Sequence, residues 1–154
     1  MGLDGVNLRY FNIFGPRQDP SSPYSGVISI FIKNMSHGQR PTIYGDGTQS
    51  RDFTYVANAV AANLAAMRHP EPLGGEVFNV GSGRGTQLLD LVATLNTIFK
   101  TDLQPDFQPA RPGDVRDSLA SLVRISQVLG YRPLISFEEG LRRTVLASVA
   151  SVGP

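Results

Sequence analysis

The apolar positions fall in short runs separated by glycine, proline and small polar clusters. Val6 to Phe11 (VNLRYF) carries apolar residues on both faces and predicts a short strand of the kind buried in a parallel sheet. The breaker cluster Asn12-Ile13-Phe14-Gly15-Pro16 ends it, and a polar loop from Arg17 to Pro23 follows. Val27, Ile28, Phe31 and Met35 recur near a helical period, with Gly38 as the stop. Pro41 to Tyr44 and Arg51 to Val56 are β-like runs around Gly45-Asp46-Gly47; they either pair or flank a loop. Ala57 to Met67 predicts a helix carrying Val60, Leu64 and Met67 and ending before Pro70. Glu76 to Val80 predicts a strand, and Thr86 an N-cap for a helix from Gln87 to Phe99 with Leu88, Leu91, Val92 and Leu95 on one face. Asp106 to Gln108 is extended, and Leu119 to Leu129 is helical up to Gly130. Ser136 and Glu139 form a capping box for a last helix reaching about Ala150. No internal repeat is visible. Strands alternating with helices define an α/β chain, although two parallel-type strands are fewer than the three a sheet usually needs.

Length and composition bound this picture. The 154 residues make one domain or one large piece of a domain. The chain is 41% hydrophobic and 18% charged, leaner in charge than the roughly 25% of a typical soluble domain and far from the disordered corner. A net charge of +1 speaks against a nucleic-acid partner. Zero cysteines exclude a disulfide scaffold, a cysteine-based zinc site and a thiol nucleophile, and fit a reducing, cytoplasmic location. No apolar run approaches the roughly 20 residues of a membrane span. The start, Met1-Gly2-Leu3-Asp4-Gly5, lacks the basic and apolar regions of a signal peptide, so no membrane partner is expected.

Candidate chemistry is sparse. Gly81-x-Gly83-x-Gly85 sits where a dinucleotide fingerprint would sit, but Thr86 stands at the sixth place, so a plain strand-to-helix turn is the better reading. A helix N-terminus there could still face an anion. Arg51 is either a bidentate phosphate clamp or a solvated arginine paired with Asp52 or Asp46. Arg111-Pro112-Gly113-Asp114 is either a phosphate-and-ribose turn or an ordinary surface turn. Tyr44 either stacks on a flat base or belongs to the core. His37 and His69 near helix ends and Arg142-Arg143 on a polar helix side are assigned no chemistry. No hydrolase elbow and no Walker loop is present.

Taken in order, several segments resemble one family. Leu8-Arg9-Tyr10-Phe11-Asn12-Ile13-Phe14-Gly15-Pro16-Arg17-Gln18 is similar to the LRYFNVYGPRQ segment of the extended short-chain dehydrogenase/reductases, the NAD-dependent nucleotide-sugar epimerases and dehydratases. Ile43 to Phe53 resembles their I-x-G-D-G-x-x-x-R-D-F segment, and Val77 to Gly81 a later strand. Arg111 to Arg116 resembles R-x-G-D-V-R, and Leu129-Gly130-Tyr131-x-Pro133 and Glu139-Gly140-Leu141 the closing elements. The resemblance implies the C-terminal part of a Rossmann-like fold: the last sheet strands plus a small α+β substrate-binding lobe. It implies that Asn12 contacts the sugar or diphosphate. Val27, Pro41, Ile43 and Tyr44 would surround a uracil-like base, Arg51 and Arg111 would bind the pyrophosphate, and Asp114 the ribose. Tyr10 and Phe11 would border the nicotinamide end of NAD, and the ligand would be a UDP-sugar of the 4-epimerase type.

The family's G-x-x-G-x-x-G turn and its Y-x-x-x-K general-base pair do not occur in these 154 residues. The resemblance therefore implies a single partial domain over 1–154, without the NAD-binding half and without hydride or proton transfer of its own. Ser121, Ala57 and Asn58 depart from the family's usual acidic residues. Three readings stay open: the binding lobe of an epimerase, a stand-alone nucleotide-sugar module, and a self-associating remnant. A strand face of Val6, Leu8 and Tyr10 would meet a complementary N-terminal half or a second copy.

Overall fold

The computed structural model describes residues 4–22 and 26–150. In chain order the elements are β1 (Asn7–Tyr10), β2 (Ile13–Phe14), α1 (Val27–Ser36), β3 (Thr42–Tyr44), β4 (Ser50–Arg51), β5 (Thr54–Tyr55) and α2 (Val56–Met67). There follow β6 (Val77–Val80), β7 (Thr86–Gln87), α3 (Leu88–Phe99), β8 (Asp106–Gln108), β9 (Asp117–Ser118), α4 (Val123–Leu129) and α5 (Phe137–Ala150). The polar loop before α1 falls partly outside the described residues, and so does the extreme C-terminus.

Two apolar clusters organise these pieces. One is built on the parallel pair β1–β6, in register from Asn7 opposite Val77 to Tyr10 opposite Val80. Phe78 and Val80 are fully buried there with Ala62, Ile125 and Tyr131, beneath α2 and α4. Val6 and Leu8 are partly buried against this cluster, and with the largely exposed Tyr10 they line an open cleft beside α2. The second cluster joins α1, α3 and α5 around Phe14, Ile43, Phe53 and Tyr55. Its rings interlock: Phe14 meets Tyr55 and Phe137 edge-on, and Phe53 stacks on Phe137 at 5.8 Å between centroids. Asn58, fully buried on α2, ties the clusters' connection together. Its Oδ1 accepts from the N–H groups of Leu134 and Ile135, and its Nδ2 donates to the Ile135 carbonyl.

The helices follow their periodicity. On α1, Ile28, Phe31, Ile32 and Met35 are buried, and Gly38 at φ +69° closes it with a Schellman pair, Gly38 N–H to Met35 C=O and Gln39 N–H to Asn34 C=O. Ser136 Oγ accepts from the Glu139 N–H at 3.2 Å, as the capping box predicts. The Glu139 carboxylate is taken by Arg142 and Arg143 instead of reaching back, and the hydrogen bonds from these two arginines hold its pKa down to about 2.

Two expectations change, and one open alternative is decided. Thr86 does not cap α3; it lies in β7, paired antiparallel with Arg51, and Gln87 precedes the helix without a side-chain cap. Residues 119–122 are not helical: the chain leaves β9 at Ser118, where Asp117 and Ser118 pair in parallel with Ser50 and Arg51, and α4 starts only at Val123. The runs at 41–44 and 51–56 flank a loop and do not pair with each other. β3 pairs in parallel with β8, β4 lies between β7 and β9, and β5 pairs with β2. Arg40 pins the β3–β8 pair by donating to the Gln104 and Pro105 carbonyls.

Candidate functional site

A cleft of about 660 Å³ opens between the N-terminal half of α1, β3, β4 and the turn after β8. Its floor is apolar, from Phe14, Ile28, Phe31, Phe53 and Leu88, and its walls are polar. A pocket of this size with an apolar floor and a few convergent polar groups is the form a small-molecule site takes.

The wall residues are presented by backbone that long-range pairing fixes. Asn12 sits between β1 and β2; its carbonyl accepts from Thr54 N–H at 3.0 Å and its Nδ2 donates to the Asp52 carbonyl at 3.4 Å. Val27 opens α1. Tyr44 ends β3, with its carbonyl held by Gln49 Nε2 at 2.6 Å. Arg51, half-buried on β4, donates through Nη1 to the carbonyls of Ser50 (2.8 Å) and Arg116 (3.2 Å). Arg111 and Asp114 begin and end one exposed turn closed by Asp114 N–H to Arg111 C=O. The Arg111 guanidinium carbon lies 3.7 Å from the Tyr44 ring centroid. Tyr44 is 37% exposed and so is not a core residue.

Of the residues singled out from the sequence, Asn12, Val27, Tyr44, Arg51, Arg111 and Asp114 line this one cleft. Pro41 and Ile43 do not. Both are buried, Ile43 completely within the second core cluster, and Pro41 gives its carbonyl to Asp106 N–H. Tyr10 lies elsewhere, in a separate cleft between β1 and α2, where its hydroxyl meets Asn63. Phe11, half-buried, continues the ladder by donating its N–H to Val80 C=O.

Sequence reasoning missed Gln18, Asn34, Thr42 and Gln49, which also line the cleft. Asn34 was legible as the polar member of the α1 stripe Val27, Ile30, Phe31, Asn34. Gln18 contributes a buried Oε1 without a hydrogen-bond partner among the described residues.

It also missed Asp52. This carboxylate is fully buried and is not paired with Arg51, which forms no ion pair with Asp46 either among the described residues. Its Oδ1 accepts from Ser82 N–H (2.7 Å), Ser82 Oγ (2.6 Å) and Thr54 Oγ1 (3.1 Å), and its Oδ2 from the N–H groups of Gly83 (3.0 Å) and Ala120 (3.1 Å). Asp52 thus ties the segments leading into β7 and out of β9 to β4, the strand that carries Arg51. Asp46 instead accepts from Thr48, which holds its carboxyl below the usual range, with Arg116 nearby at 3.7 Å.

The glycine cluster is thereby explained. The N–H groups of Ser82 and Gly83 face the chain's own carboxylate, and a side chain at Gly81 would collide with Ala120 and Asp52. Tyr131 holds the loop from the other side, its hydroxyl donating to Gly81 C=O at 2.8 Å. Burial, helped by the Asp52 charge, pushes the Tyr131 pKa up to about 12. The first N–H groups of α3 are taken as well, Leu88 by Gln49 C=O and Leu89 by Gly47 C=O. A dinucleotide pyrophosphate needs free N–H groups at such a turn. The described residues offer no such cradle here.

The comparisons with known proteins agree with this architecture. The family model described as "NAD dependent epimerase/dehydratase family" matches residues 1–81. The UDP-glucose 4-epimerase of Mycolicibacterium smegmatis is 35% identical over 143 residues, covering 93% of this chain and 45% of the relative. Among solved structures, the UDP-glucose 4-epimerase of Thermotoga maritima with UDP-glucose superimposes with a TM-score of 0.89 at 41% identity, over 96% of this chain and 47% of that one. The UDP-N-acetylglucosamine 4-epimerase of Methanobrevibacter ruminantium, in complex with UDP-N-acetylmuramic acid, gives 0.89 at 38% identity, over 97% and 47%. The chain therefore spans about half the length of the relatives it matches.

The fold is the mixed α/β architecture of the Rossmann-like, extended short-chain dehydrogenase/reductases. Within that class, the chain belongs to the NAD-dependent epimerase/dehydratase family.

Proposed function

We propose that residues 1–154 are the nucleotide-sugar-binding portion of an NAD-dependent UDP-sugar epimerase. The observation that carries this reading is the convergence of Arg51 and Arg111 with Asn12, Tyr44 and Asp114 on one apolar-floored cleft. Two guanidiniums suit a diphosphate because each can offer charge-assisted, bidentate hydrogen bonds. Asp114 can accept from ribose hydroxyls, Tyr44 can face a flat base, and Asn12 can reach the sugar or the diphosphate. The UDP-sugars in the names of similar proteins support uridine as the base.

The chemistry of epimerisation requires more than this cleft. NAD supplies reversible hydride acceptance when bound, and the described residues hold no cradle for it. Its binding site and the Tyr-Lys pair belong, on this reading, to polypeptide outside these 154 residues, with Tyr10 and Phe11 bordering the nicotinamide end. Two observations support such a neighbour. Among the described residues β1 pairs on one edge only, and α2 exposes Val56, Val60, Leu64 and Met67 along one stripe, Met67 at 80%. Alone, the chain binds substrate without turning it over. No helix among the described residues is long and apolar enough to cross a membrane. A cytoplasmic location is part of the same proposal, resting on the cysteine-free composition.

Calorimetric titration of the chain with UDP and UDP-glucose tests the reading. Saturable binding is expected, weakened by about 1.5–3 kcal/mol in Arg51→Ala, the scale of hydrogen bonds to a charged group. Arg51→Ala that folds normally and binds as the wild type does refutes the diphosphate assignment.

A further inference from the structure

Arg111 and Tyr44 are both assigned to the ligand above, yet their side chains also contact each other. The guanidinium carbon stands 3.7 Å from the ring centroid, at van der Waals distance of the ring face. A planar base cannot occupy the same place. The two partners are held differently. Tyr44 is fixed by the β3–β8 ladder and by the Gln49 bond to its carbonyl. Arg111 projects from an exposed turn and makes no ion pair among the described residues. Arg51, by contrast, is tied to two carbonyls and stays in place.

We propose that Arg111 is a specificity-determining residue: it occupies the base-stacking face of Tyr44 and yields it more readily to a ligand that brings a diphosphate with its base than to one that brings the base alone. The inference rests on the nucleotide-sugar reading of the cleft. The physical basis is a difference in strength. A guanidinium over an aromatic ring at an exposed site is a weak contact, enough to favour the stacked form only several-fold. Charge-assisted bidentate bonds to phosphate are stronger, so a diphosphate draws the guanidinium off the ring while its base takes the vacated face. A bare nucleoside must displace Arg111 without that compensation, and its apparent affinity falls with the fraction of open sites. The residue that binds the phosphate thus also penalises ligands lacking one.

The test compares uridine with UDP on the full chain, wild type and Arg111→Gln, by chemical-shift titration. Removing the competitor should tighten uridine about two- to sixfold while UDP weakens, so the two affinities move in opposite directions. Arg111→Lys keeps a cation without the planar fork; it should also tighten uridine, with a smaller loss for UDP. In the wild type, the Arg111 Nε–H resonance should carry a ring-current shift that UDP abolishes and that is missing from free Tyr44→Leu. A role confined to phosphate binding predicts unchanged uridine affinity in Arg111→Gln, and a merely structural role predicts that both ligands weaken. Either result, with UDP still bound by the wild type, overturns the proposal and leaves the nucleotide reading standing. Absence of UDP binding to the wild type at millimolar concentration overturns both.

Discussion

Replacing Asp52 by Asn changes one atom and should cost much of the stability of this chain. The side chain is fully buried, and its two oxygens divide their partners unevenly. Oδ1 accepts from Ser82 N–H, Ser82 Oγ and Thr54 Oγ1; Oδ2 accepts from Gly83 N–H and Ala120 N–H. An asparagine keeps most by leaving its oxygen at Oδ1. Its amide then faces two backbone N–H groups, and donor meets donor. Losing two hydrogen bonds to a charged acceptor, with both N–H groups left buried, costs about 1.5–3 kcal/mol each, or about 3–6 kcal/mol together. Removing the carboxylate's charge also removes its desolvation cost, which favours the lower end, about 3 kcal/mol. A domain has only about 5–15 kcal/mol to lose. Urea unfolding followed by far-UV circular dichroism reads this directly. With m of about 1–3 kcal/mol per M, the midpoint should fall by at least about 1 M. The exposed Asp46→Asn serves as the control and should move it far less. A midpoint for Asp52→Asn within about 0.3 M of wild type, at unchanged m, would refute the assignment of Asp52 as the tie between the segments flanking β7 and β9.

Two further outcomes follow from the same packing. The Tyr131 hydroxyl has its pKa raised from 10.0 to about 12, so the folded state keeps a proton that the unfolded state releases. Its contribution is full below pH 10 and is lost as the pH rises towards 12, about 2–3 kcal/mol in all at 1.36 kcal/mol per unit. Stability of wild type relative to Tyr131→Phe, measured by urea midpoints across pH 9 to 12, should fall over that window; a flat difference would show that the hydroxyl is not held in the buried bond to Gly81. Gly140→Ala places a Cβ 2.8 Å from Tyr55 Cβ and Cγ, so overpacking of about 1–3 kcal/mol should outweigh the roughly 1 kcal/mol that alanine gains in a helix. A higher melting temperature for this variant would show that Tyr55 can move aside.

The limits of sequence reading fall where contacts become long-range. The stripe on α1 and the stop at Gly38 were legible because they are written within one or two turns. Arg51, Arg111 and Asp114 were legible as candidates from their chemistry, which left surface alternatives open, and the family resemblance favoured the ligand reading and added Asn12. Asp52 was misread because a carboxylate beside an arginine suggests a local pair. Its partners lie 30 residues away in Ser82 and 68 away in Ala120. Ile43 and Pro41 were placed around the ligand by motif, and the pleat of β3 turns Ile43 into the core while Tyr44 faces the cleft.

By itself, then, the sequence determined an α/β chain, its main helices, the β1 and β6 strands, and its family likeness. Periodicity, stop signals and motif order are local properties that survive without a folded frame. Only tertiary structure decided that Thr86 and Asp117-Ser118 become strands flanking Arg51, and that a glycine-rich turn closes on Asp52. It also decided that the guanidinium of Arg111 rests on Tyr44, 67 positions earlier in the chain. Each of these joins groups brought together by the packing of two cores, and the energy of such a contact exists only after that packing is complete.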